Sequence, residues 1–155
     1  MRSLSLFGLR LRTGPEALET MRRRLGRRLG RSGSDRDLGT LVLLAVEEVV
    51  ANVVEHGYRE RPGQPISIWV RRIPRGRLEV SVWDRAPEAA FPRTGASLQC
   101  LAASRSERGR GQAMVRLLAE SVTHRSRETG GNILTLVFDP KRLEERAQEH
   151  LREAA

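Results

Sequence analysis

Glu48 and Asn52 stand four residues apart in a mostly apolar run over residues 37–56. At helical spacing they share one face, about 6 Å apart along the axis, with Glu55 about one turn further on. A carboxylate beside an amide oxygen suits a hard cation and a polarised hydroxyl. Mg2+ prefers oxygen ligands and keeps several waters, so Asn52 would hold the metal while Glu48 takes a proton. Such groups need partners, because an unpaired buried carboxylate is costly. The same residues would also suit the exposed edge of a surface helix. Glu47 lies about 100° around the helix and is expected to face solvent or a surface partner.

Two further stretches could do chemistry. Glu107-Arg108-Gly109-Arg110-Gly111 runs into Gln112-Ala113-Met114-Val115, and glycines before a helix let backbone N–H groups approach an anion such as a nucleotide phosphate. A plain flexible loop would read the same way. Asp84 ends the alternating segment Leu78-Glu79-Val80-Ser81-Val82-Trp83. There a carboxylate can accept a hydrogen bond from an exocyclic amine, or simply form a turn.

The elements that must position these groups follow from periodicity. Residues 3–11 alternate as a half-buried strand, and Pro15 opens a helix with Leu18, Met21, Leu25 and Leu29 at helical spacing and arginines opposite. Ser32-Gly33-Ser34-Asp35 breaks it. The run 37–56 is apolar nearly all round, which predicts a buried central helix, with Gly57 at a left-handed helix end. Strands are expected over 66–72 and 78–83 around the turn Pro74-Arg75-Gly76, then a long loop over 85–108. A helix over 111–120, a strand over 133–138 and a terminal helix from Pro140 complete the order. Such an order gives an α+β protein: a two-layer α/β sandwich, helices on one face of a mixed, mostly antiparallel sheet, in one domain spanning 1–155.

The chain has 155 residues, a net charge of +9 and 39% apolar residues, enough for a core without metal or disulfide staples. One cysteine, Cys100, excludes an internal disulfide and a multi-cysteine zinc site. No apolar run is long enough for a membrane span and the N-terminus lacks a signal-like core, so a cytoplasmic location is expected. Lys141 is the sole lysine, as coding bias toward arginine would produce, and aromatics are only 4%. Few stacking platforms follow, and no direct contact with nucleic acid or membrane is expected.

Together the motifs resemble a known family. Val46-Glu47-Glu48-Val49-Val50-Ala51-Asn52 through Glu55-His56-Gly57-Tyr58 is similar to the N box of the GHKL ATPases, whose fold is the Bergerat ATP-binding fold. The Asn-x-x-x-His-Gly-Tyr ending resembles the anti-sigma-factor serine kinase branch. Val82-Trp83-Asp84-Arg85-Ala86-Pro87 with Phe91-Pro92 resembles the adenine box, Arg108 to Arg116 the phosphate-binding glycine box, and Gly130-Gly131-Asn132-Ile133 the closing strand.

The resemblance implies Glu48 as general base, Asn52 as magnesium ligand, and Asp84 with Ala86 at the adenine. It places Arg108, Gly109, Arg110, Gly111, Gln112 and Ala113 around the phosphates and residues 88–108 in an ATP lid, with Arg105 another candidate for neutralising phosphate charge. It also implies ATP and Mg2+ as cofactors, serine phosphorylation of an anti-anti-sigma (STAS-type) partner, sequestration of a sigma factor, and a homodimer. The chain departs from the pattern at Ala86, where glycine is usual, in a longer interval to Phe91, and at Gly131-Asn132, where Gly-Thr is common, leaving Thr135 as the available threonine. A non-catalytic module that binds nucleotide and sequesters a partner would share most of these residues.

Overall fold

A computed structural model describes residues 4–31, 36–87, 107–143 and 145, without the side chains of 4–6, 36 and 107–110. Strand β1 (Leu4–Arg12) leads into α1 (Ala17–Arg31) and α2 (Arg36–Asn52), which continues as one wide π turn over Val53–Gly57. Then come β2 (Pro65–Arg72), a short turn at Pro74–Gly76, β3 (Leu78–Asp84), α3 (Glu107–Leu118), β4 (Ser121–Ser126) and β5 (Asn132–Phe138).

The five strands form one sheet in the order β1-β2-β3-β5-β4, and every neighbouring pair is antiparallel. The expected α+β sandwich stands, without the parallel pairs that a mixed sheet would have among the described strands. Strand β4 has no sequence counterpart in the expected order: Ser121-Val122-Thr123-His124-Arg125-Ser126 offers almost no apolar alternation, and pairing with β5 makes the strand. The helix expected from Gly111 begins four residues earlier, at Glu107.

One face of the sheet carries the core. Ile66, Ile68, Val70, Leu78, Val80 and Val82 pack against the helices together with Leu134, Leu136 and Phe138 of β5. Helix α1 contributes Met21, Leu25 and Leu29 from one stripe, while α2 contributes Val42, Ala45, Val46, Val49 and Val50. Helix α2 is central but not enclosed, because Leu44 is 43% exposed. Arginines of α1 are partly used within the chain: Arg22 pairs with Glu47 of α2 and Arg28 lies over the Phe7 ring.

The connection from α2 to β2 is bonded along its length. Gly57 lies inside the π turn and is not left-handed; the positive φ angles fall instead on Arg59 (51°) and Glu60 (60°), with Gly63 at 75°. The π turn moves the chain reversal two residues beyond the glycine that marked it in sequence. Buried Thr13 then holds the loop from the side: its Oγ1 donates to the Arg61 carbonyl (2.5 Å) and accepts from Gln64 N–H (2.8 Å). At the far end the Tyr58 hydroxyl donates to the Pro65 carbonyl (2.7 Å).

Leu25 is fully buried where α1 meets the core. Leu25→Ala is expected to cost about 2–5 kcal/mol in urea unfolding, as truncation leaves a cavity between packed layers.

Candidate functional site

Glu48 lies on the partly buried side of α2, and its Oε1 accepts from Asn52 Nδ2 at 3.4 Å. Burial raises the Glu48 carboxyl above the ordinary carboxylate range, the Asn52 bond works against this, and the negative charges of Glu55 and Glu47 push it further up. Neighbouring Glu47 is turned to α1 and holds Arg22, so two consecutive acids face different surroundings. Glu55 falls in the π turn, where its exposed carboxylate lies 3.7 Å from His56 Nε2 and still adds negative charge near Glu48.

Helix α3 closes on Glu48 through Gly111. A Cβ at Gly111 would overlap the Glu48 carboxylate, so any larger residue there would push the Glu48 side chain aside. Gly109 and Gly111 thus lie inside the helix and not in a loop before it, since the helix begins at Glu107. Gly111 is a full turn in, with its N–H within the helical ladder; the unpaired N–H groups that would meet an anion belong to the first turn, from about Glu107 to Gly109. Arg108 and Arg110 share that first stretch of α3, and Gln112 and Ala113 follow, both half-buried. Of the segment 88–108 expected as a lid, residues 88–106, with Phe91-Pro92 and Arg105, lie outside the described residues, and Glu107 and Arg108 belong to α3.

The second cluster sits at the end of β3. Asp84 is 5% exposed, and its Oδ1 accepts from Ala86 N–H (2.8 Å) and Asn132 Nδ2 (3.0 Å). Asn132 Nδ2 also donates to the Ala86 carbonyl (3.2 Å). With its amide nitrogen so placed, Asn132 Oδ1 must accept, and His124 Nε2 at 3.0 Å is the donor, which puts a proton on Nε2. Burial raises the Asp84 carboxyl above its ordinary value, while the bonds from Asn132 and Ala86, and the electrostatic influence of His124 and Arg127, hold it back.

Two local features make this arrangement possible. Antiparallel pairing sets Asp84 opposite Asn132, and Gly131, at φ 90°, passes so close that a Cβ would lie 2.8 Å from Arg85 Cα and overlap the Asp84 carbonyl. Tyr58 ties the end of α2 to the same place, because its hydroxyl accepts from Arg85 N–H at 2.6 Å.

Asn132 and Tyr58 are site residues that the sequence reading did not assign. Asn132 was legible as a departure from a family pattern; its partner could have been found by pairing the end of β3 with the start of β5 in antiparallel register. Thr135, in contrast, does not join Asp84. Alternation along β5 sends it to the opposite face of the sheet, where its hydroxyl meets Ser81 Oγ at 3.3 Å.

The two clusters fit a nucleotide and a hard cation. Among the described residues Asp84 receives both bonds on Oδ1, so Oδ2 is the oxygen suited to an exocyclic amine. Asn52 donates to Glu48 through its nitrogen, which leaves the amide oxygen as the atom suited to a cation. Among the described residues no group of three or more His, Cys, Asp or Glu could hold a metal, so a cation here would draw most of its ligands from phosphate and water, as Mg2+ does.

Removing the Asn132 amide should drive the Asp84 carboxyl further up. Asn132→Ala is expected to lower stability at neutral pH by about 1–3 kcal/mol, less in acid, where Asp84 is protonated, with the carboxyl titration followed by NMR.

A family model described as a histidine kinase-like ATPase domain matches residues 11–138. No curated protein sequence matches the chain. Among solved structures the chain is similar to a chain in the SiaB–SiaC complex from Pseudomonas aeruginosa, with a TM-score of 0.58 and 12% identity over 86% of this chain and 89% of that one. At that identity the likeness is one of fold.

Proposed function

The chain belongs to the histidine kinase-like ATPase domain family, and we propose that it is an ATP-dependent protein serine kinase of the anti-sigma type, acting on a STAS-type anti-anti-sigma partner and sequestering a sigma factor. The observation that carries this reading is the Glu48 carboxylate held between Asn52 and the glycine backbone of α3. The solved neighbour was crystallised in a complex of two proteins, which supports a partner-binding role. A cytoplasmic homodimer accords with this proposal.

In this reading Asp84 receives the adenine amino group, and the first-turn N–H groups of α3 face the phosphates. Asn52 presents its amide oxygen to magnesium, which when bound neutralises phosphate charge. Glu48 accepts the proton of the incoming serine hydroxyl as its oxygen bonds to the γ-phosphorus and the bond to the ADP oxygen breaks. Its raised pKa brings it nearer to working pH, where a general base is most effective. A partner-sequestering module without transfer would keep the adenine cluster and have no use for a base so placed.

Incubation with Mg-ATP and a STAS-type partner should yield phosphoserine on the partner, read by mass spectrometry. Glu48→Ala should abolish transfer and leave nucleotide binding within about 3-fold, whereas Asn52→Ala should weaken the magnesium-dependent part of binding. Tight ATP binding without transfer would replace the kinase with the binding module.

Glu48 also gives a pH signature. Its raised carboxyl holds a proton in the folded state where the unfolded chain has lost it, so stability falls as pH rises from the ordinary carboxylate range through the raised value. Glu48→Gln is therefore expected to gain in Tm relative to the parent as pH rises from acid to neutral, measured by thermal unfolding.

A further inference from the structure

The outer face of the sheet, opposite the helices, receives none of the side chains that form the Glu48 and Asp84 clusters, although Asp84 borders it at the end of β3. Alternation sends Arg10 and Arg12 of β1, Arg71 of β2 and Arg125 of β4 to this face, and Arg85 and Arg127 join them in lining one broad trough. Among the described residues that line the trough the carboxylates are Glu79, bound to Arg71 at 2.5 Å, and Asp84, whose side chain alternation sends to the helix side. Between these arginines lie both tryptophans of the chain, Trp69 at 41% and Trp83 at 36% exposure.

The tryptophans are laid out as surfaces. Trp69 pairs with Gly8 across the β1–β2 ladder, and a Cβ on Gly8 would lie 2.5, 2.7 and 3.0 Å from three carbons of its indole. The ring therefore lies down over the bare backbone of β1 and turns its other face outward. Its neighbour across β3 is Ser81, and Trp83 lies between Ser67 of β2 and Ile133 of β5, so each ring has a small residue on one side. Arg127 sits over the Trp83 ring at 5.2 Å.

We infer that this face binds single-stranded nucleic acid, with bases stacked on Trp69 and Trp83 and the backbone phosphates met by the flanking arginines. A polynucleotide uses both halves of this chemistry, planar rings and repeated negative charge; an acidic peptide uses only the second. A second copy placed face to face would bring two sets of arginines together, which like-charge repulsion opposes. The low aromatic content that argued against nucleic acid concerned the number of rings, and two of the six share one basic face. This inference does not depend on the kinase reading.

The test uses the full chain with fluorescein-labelled oligothymidylate and oligouridylate of about 12 nucleotides, within the ~4–16 nucleotide site sizes of sheet-based single-strand binders. Anisotropy should rise with quenching of tryptophan emission, and affinity should fall steeply between about 50 and 200 mM salt. Trp69→Ala is expected to weaken binding about 10-fold or more and Trp69→Phe to restore most of it. Arg125→Ala should reduce the salt slope by about 0.7. Unchanged Mg-ATP binding and circular dichroism would show that the variants fold. The inference is overturned by no binding at low salt, by binding indifferent to Trp69→Ala, by displacement with excess Mg-ATP, or by tighter binding of an oligoglutamate peptide, which would mark the face as a dock for acidic protein.

Discussion

A pleated strand sends successive side chains to opposite faces, and five antiparallel strands in register impose that rule across the whole sheet. The consequences reach every functional residue that a strand carries. Asp84 and Asn132 fall on the helix side because Val82 and Leu134, two residues along their strands, are core residues. Thr135 and Trp83 fall on the other side for the same reason. The protein therefore has two chemically distinct faces: one closed by helices around a buried and a half-buried carboxylate, the other open, basic and aromatic. A slip of one residue between β3 and β5 would break the Asp84–Asn132 pairing and exchange which side chains meet the core.

The closed face solves a recurrent problem, that of bringing backbone against a carboxylate-bearing residue without leaving the charge unpaired. Gly111 lets α3 touch the Glu48 side chain, and Gly131 lets the start of β5 pass against the Asp84 backbone. Around each carboxylate an amide does the satisfying, Asn52 for Glu48 and Asn132 for Asp84. Amides are suited to this because they donate without adding charge and keep an oxygen free for a further role. For Asn132 that oxygen goes to His124. The same burial raises both carboxyls, so the protein carries its acid groups at some cost in stability near neutral pH.

Much of this architecture could be read from the sequence. The apolar spacing of Met21, Leu25 and Leu29, the long run through α2, and the alternation of β2, β3 and β5 located those elements within a few residues, because each buries a face and so must repeat with the period of its structure. Strand β4 was missed for the converse reason: its side chains scarcely alternate in polarity, and only hydrogen bonding to β5 makes it a strand. Glu48, Asn52 and Asp84 stood out as polar groups among core residues. The partnership of Asp84 with Asn132 required knowing that β3 and β5 are neighbours, and the shift of the chain reversal from Gly57 to Arg59 and Glu60 required a π turn that leaves no mark in composition. Charge and aromatic content were counted correctly but gave no hint that arginines and tryptophans would converge on one surface.

The connection between α2 and β2 has a consequence for how the chain tolerates change. Two non-glycine residues there hold left-handed backbone, which costs about 1–2 kcal/mol for each L-residue. Thr13 fastens the middle of the segment, and the Tyr58 hydroxyl joins its two ends while gripping the backbone beside Asp84. Such a segment is a closed ring made of hydrogen bonds. Its outward side chains, Arg59 to Pro62, are exposed and open to replacement. Adding or removing one residue would break the ring and release the strand end that carries Asp84, so this stretch is free in spelling and fixed in length.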